Sequence, residues 1–132
     1  MKKLSLLLLL AATSAAAGPF DQPYSIIATY DVPGADIHLR RVIVNRVDGE
    51  NAMPDNRAVV APGKHKVTVD LPPRRGFHLA TQQTFDLETR PCVRYNVAAK
   101  LENSASQKWV PVVKSTERLG ECESKFKLAS NK

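Results

Sequence analysis

Residues 62–71 read Pro-Gly-Lys-His-Lys-Val-Thr-Val-Asp-Leu, and this stretch decides the fold class. Val67, Val69 and Leu71 are apolar, while Lys66, Thr68 and Asp70 are polar. Side chains on a strand alternate between faces. Strict alternation therefore describes a strand with one face on a core and the other in water. Pro62-Gly63 in front of it is a turn signal. Proline presets φ at the first central position, and glycine accepts positive φ at the second.

The same grammar extends in both directions. Upstream, Arg57–Ala61 (RAVVA) is a short apolar run, and Glu50–Asn56 is a polar loop after the tight-turn pair Asp48-Gly49. Ile37–Val47 (IHLRRVIVNRV) is apolar with a change of phase at Arg40-Arg41, which predicts a bulge or bend. Tyr24–Tyr30 (YSIIATY) is rich in β-branched and aromatic residues and stops at Asp31-Val32-Pro33-Gly34. Downstream, Pro72–Gly76 is a loop, and Phe77–Leu87 places Phe77, Leu79, Phe85 and Leu87 at even spacings. Cys92–Leu101 (CVRYNVAAKL) and Lys108–Thr116 (KWVPVVKST) flank Glu102–Gln107 as an antiparallel hairpin. Pro111 marks the second of these as an edge strand or a bulge. Tyr95 and Trp109 on this hairpin read as packing residues. About seven strands with turns every 8–12 residues predict an all-β chain, an immunoglobulin-like or transthyretin-like sandwich.

The N-terminus follows a different rule. Lys2-Lys3, an apolar run over Leu4–Ala12 and Ala15-Ala16-Ala17 have the order of a secretory signal peptide cut after Ala17. The run is too short for a membrane span, and no cysteine lies nearby for lipid attachment. The predicted organisation is a signal peptide over 1–17, a sandwich over 18–122 and a flexible basic tail over 123–132. A periplasmic or secreted location follows, with no transmembrane segment after cleavage.

Cys92 and Cys122 are the only cysteines, and in an oxidising compartment they predict one disulfide. Folding the hairpin brings them to the same side of the sheet. The bridge closes a loop worth roughly 3–4 kcal/mol by chain entropy, against a domain stability of about 5–15 kcal/mol. The formal charge of +6 falls to +4 without Lys2 and Lys3. That modest excess in an exported chain excludes nucleic acid as the expected partner and suits an anionic envelope component.

From Val44 to Lys100 the chain runs VNRVDG, RAVVAPGKHKVTVDL, FHLATQQTFDL and CVRYNVAAK. This order resembles the PEGA-like and related small secreted bacterial β-sandwich domains. The shared features are a strand with a D-G turn, Pro-Gly-Lys-His before an alternating valine strand, and a later Tyr-x-Val pattern. The resemblance implies an extracytoplasmic structural or interaction role and carries over no catalytic residue. The longer loop between Gly49 and Arg57 and the cysteine pair distinguish this chain from that pattern.

Catalytic signals are sparse. No Gly-x-Ser-x-Gly elbow surrounds Ser25, Ser104, Ser106 or Ser115. The carboxylate pairs Asp48/Glu50 and Asp86/Glu88 border turns, where acidic residues are ordinary. No enzyme activity and no cofactor are expected. The basic residues Arg40, Arg41, Lys64, Lys66, Arg74 and Arg75 are the candidate patch for a protein or an anionic polymer of the envelope. The alternative is a small metal-binding protein or enzyme built on His38, His65 and His78. These three lie on separate segments and lack the short ligand spacing of known metal motifs.

Overall fold

A computed structural model describes residues 18, 20–34, 36–72, 81–103 and 108–127. Among these residues nine strands and one helix follow in chain order. The strands are β1 (Ser25–Thr29), β2 (Leu39–Arg41), β3 (Ile43–Val47), β4 (Glu50–Asn51), β5 (Ala58–Val60), β6 (Gly63–Leu71), β7 (Thr81–Thr89), β8 (Val93–Leu101) and β9 (Trp109–Arg118); α1 is Gly120–Phe126. They build an all-β sandwich of two sheets. The first sheet pairs β5 with β1, β1 with β8 and β8 with both β2 and β9; the second has the order β4-β3-β6-β7. β1 runs parallel to β8, so the first sheet is mixed, whereas every pair in the second is antiparallel.

The alternation in residues 63–71 works as read. Val67, Val69 and Leu71 point into the core beside Val44 and Val47 of β3. Ile27, Ala58, Val97, Ala99, Leu101 and Trp109 face them from the first sheet. Burying each aliphatic side chain contributes about 1.5–3 kcal/mol, so this double row of valines is the main adhesive between the layers.

Several boundaries differ from the sequence reading. The phase change near Arg40-Arg41 is a crossing from one sheet to the other. β2 pairs with β8, Val42 is fully buried, and β3 pairs with β6. The Thr29 hydroxyl donates to the Val42 carbonyl at 2.9 Å and satisfies backbone that neither ladder takes up. The bulge itself lies at Asn45, where the β3–β6 register shifts between Val44 and Arg46. The loop read over Glu50–Asn56 opens with β4, because Asp48 (φ 53°) and Gly49 (φ 81°) form a turn with both central residues left-handed, the hairpin geometry. Phe77–Ala80 of the predicted Phe77–Leu87 strand lie outside the described residues, and the strand seen there is Thr81–Thr89.

The predicted tail also changes. Residues 123–126 are the end of helix α1, and 128–132 lie outside the described residues. The helix has no side-chain N-cap. Arg118 clamps it instead, its guanidinium donating to both carboxylate oxygens of Glu123 at 2.8–3.2 Å. Glu123 also holds the Arg118 charge more firmly than in free arginine, raising its pKa. The Cys92–Cys122 disulfide is present, with Cα atoms 5.3 Å apart, and pins the helix to the start of β8. No described helix is long and apolar enough to cross a membrane.

The sandwich has two ends. Asp48, His65, the disulfide and α1 belong to one, because Gly63 at the start of β6 pairs with Thr89 and the chain passes directly from Thr89 through Cys92 into β8. Arg40, Pro72, Leu101 and Trp109 belong to the other. There the Trp109 Nε1 donates to Thr81 Oγ1 and Gln83 donates to the Trp109 carbonyl, both at 2.7 Å, joining the sheets.

Candidate functional site

Asp48 organises the first end. Its position in the β3–β4 turn folds its carboxylate back over β6. Oδ1 accepts the Lys66 backbone N–H at 2.7 Å, and Oδ2 meets His65 Nδ1 at 2.5 Å. The Lys66 N–H and then the His65 ring hold the Asp48 carboxyl below its ordinary pKa; partial desolvation opposes them weakly. The other ring nitrogen of His65, Nε2, faces the Ala61 carbonyl at 2.5 Å. Both ring nitrogens thus face oxygen acceptors.

An Asp–His pair suggests the base of a hydrolytic triad, but that role needs a ring nitrogen aimed at a nucleophile. Here the second nitrogen is taken by a backbone carbonyl. Ser25 and Ser115 stand on the other sheet, where Ser25 Oγ meets the Val60 carbonyl and Ser115 Oγ accepts from Asn96. Ser104 and Ser106 lie outside the described residues. The arrangement can close a hairpin onto its neighbouring strand.

The outer face of the second sheet is a ladder of polar pairs. Lys64 stands opposite Glu88, Lys66 opposite Asp86, Thr68 opposite Thr84 and Asp70 opposite Gln82. Three of these pairs bond directly: Lys66–Asp86 at 3.3 Å, Thr68–Thr84 at 2.9 Å and Gln82–Asp70 at 2.8 Å. Asn45 adds a second donor to Asp70 at 2.8 Å. An open groove of about 670 Å³ beside the Asp48 turn has Lys64 and Lys66 on one strand and Asp86 and Glu88 on the next. Its charges alternate in sign, so it offers no net field to an anion.

Of the six basic residues of the candidate patch, the four described form two separate pairs. Lys64 and Lys66 sit at the His65 end with acidic neighbours. The Arg40 guanidinium donates to the Pro72 carbonyl at 2.7 Å, at the far end of β6. Eight residue-to-residue steps separate Lys64 from Pro72, a span of about 26 Å. Arg41 is exposed beside Arg40, and Arg74 and Arg75 lie outside the described residues. The register sets Arg41 opposite Ala98 and Leu39 opposite Lys100, so Arg41 and Lys100 share the outer face of the first sheet. Lys100 and Lys108 also border a hollow of about 400 Å³ lined by Leu101 and Trp109. Lys100 is the member that sequence reading missed, because only the β2–β8 register reveals its neighbour.

The histidines do not assemble either. The His38 carbonyl accepts from the Leu101 N–H at the Trp109 end, while His65 sits at the opposite end. His78 lies outside the described residues. Among the described residues no group of three or more His, Cys, Asp or Glu side chains is placed to share a metal ion. Compared with protein-family models, curated proteins and solved structures, the chain matches none.

Proposed function

We propose that this protein is a non-catalytic interaction module of an oxidising compartment, the periplasm or the extracellular space. The resemblance to PEGA-like domains, the leader-like N-terminus and the buried Cys92–Cys122 bridge all favour that reading. Its partner is a protein or polymer carrying anionic groups. The surface that engages it is the Trp109 end, where Arg40, Arg41, Lys100 and Lys108 gather. One observation carries the choice of end: Lys64 and Lys66 are offset by Asp86 and Glu88, whereas Arg41 and Lys100 share a face.

The test is capture of an envelope component by the purified, disulfide-intact chain at low and moderate salt. The expected result is binding that salt releases and that Arg41→Glu with Lys100→Glu abolishes. Lys64→Glu with Lys66→Glu should leave it within about twofold, as paired surface charges contribute little. Equal loss in both double variants would refute the assignment of the surface.

A further inference from the structure

A sandwich of this kind has sheet edges, and its two long ones differ. β9 is an edge of the first sheet among the described residues. The Glu102 N–H donates to the Lys108 carbonyl directly opposite it. Hydrogen-bonded and non-bonded pairs alternate along an antiparallel ladder. Ala99–Pro111 is therefore a non-bonded pair, and the proline nitrogen faces outward. Three positions on, Lys114 is a bulge, since Val97 pairs with Val113 and Asn96 with Ser115. A proline on the open side and a bulge both interrupt an edge against a new strand.

β7 has neither device. Its nine residues pair with β6 without a register shift, and among the described residues β6 is its only strand partner. The Asp48 N–H donates to the Lys66 carbonyl, so the Lys66 backbone faces β3. The Lys66–Asp86 pair is then non-bonded. By alternation Gln82, Thr84, Asp86 and Glu88 all present their N–H and C=O to the open edge. On the inner face Phe85 and Leu87 are only partly buried, so the core is incompletely covered along this strand.

We propose that two copies of this chain join by antiparallel pairing of β7 with β7, centred on Phe85, so that the second sheets of both become one continuous sheet. The sequence of β7 complements itself in that register. Thr84 stands opposite the partner's Asp86, and Gln82 opposite the partner's Glu88. Each outward-facing backbone pair therefore meets another, and no two carboxylates stand directly opposite. Phe85 meets the partner's Phe85 at a narrow, non-bonded pair, where side chains approach closest. Sliding the centre to Asp86 would set two carboxylates face to face, so the acidic residues select the register. The partner is a second copy because the match is internal to one strand and needs no other sequence. The pairing uses none of the basic residues proposed above, as β7 carries none.

Edge pairing buries less than a standard interface, so the dimer is concentration-dependent. Sedimentation velocity on the purified, disulfide-intact chain over a dilution series tests it. The mass should double as concentration rises. Thr84 is exposed, so its charge variants lose the side-chain bond to Thr68 but keep the backbone pairing of β6 with β7. Thr84→Asp, set opposite the partner's Asp86 at two symmetric pairs, should weaken dimerisation about tenfold. Thr84→Lys should strengthen it by a similar factor. A chain that stays monomeric to its solubility limit overturns the proposal. So does a dimer that both variants leave unchanged or shift in the same direction.

Discussion

At the residue scale Asp48 does three things with one side chain. It tolerates the left-handed turn, caps the Lys66 N–H and meets His65. Asp48→Ala should destabilise the fold by about 1–2 kcal/mol, through the lost hydrogen bonds and the unfavourable φ, in urea unfolding. Asp48→Asn keeps the turn geometry and an acceptor oxygen and should lose less than half of that. The carboxyl has a lowered folded pKa, so its stabilisation is complete above the ordinary carboxylate pKa of about 4. It is lost as pH falls through the folded value. The stability gap between wild type and Asp48→Asn should therefore narrow on acidification below that point, and only modestly, because the site is exposed. The turn was legible in the Asp-Gly pair itself. The capping role was not, since Lys66 comes within reach only after β6 has paired with β3.

At the scale of elements, β6 was located to within one residue because it has one wet face: its residues alternate as water and core impose opposite demands on successive positions. Val42 shows where that logic stops. A phase change was visible beside Arg40-Arg41, but a bulge and a change of sheet leave the same trace, and only the partners of the flanking strands distinguish them. Helix α1 escaped notice because seven residues are too few for a periodicity to declare itself, and Arg118 and Cys122 stabilise it from outside. Lys127 ends it in a left-handed conformation (φ 50°) that glycine adopts without penalty. Lys127→Gly should accordingly raise the thermal midpoint, by about 0.5–1 kcal/mol in stability. The edge strand β9 supports the opposite kind of substitution. Val110 is 54% exposed and Val113 36%, an apolar run on an open edge that Pro111 interrupts. Pro111→Val would restore an outward N–H there, and light scattering should record concentration-dependent aggregation that the wild type lacks.

For the whole molecule, the pairing of Cys92 with Cys122 was readable because no other pairing exists in the chain. The structure adds that both are essentially buried, at 2% and 0% exposure. Replacing both by serine should cost roughly 3–4 kcal/mol in denaturant unfolding, most of a small domain's margin. The parallel β1–β8 pair was beyond sequence reading, because neither strand carries a mark that names so distant a neighbour. Of the basic residues, Lys64 and Lys66 lie at one end opposite Glu88 and Asp86, and Arg40 and Arg41 lie at the other. The distance between the two pairs and the carboxylates facing the lysines follow from strand pairing, which composition does not reveal.

The position of β1 has a consequence for how the protein comes into being. Ile26 must lie against Arg94, so the first strand of the sandwich waits for the eighth. A ribosome or a translocation pore delivers the chain N-terminus first. Until Val93–Leu101 emerges, the only strand β1 can pair with is the three-residue β5. The second sheet, whose strands all precede β8, has its full complement first, whereas the first sheet is completed only after Val93–Leu101 and Trp109–Arg118 have been delivered.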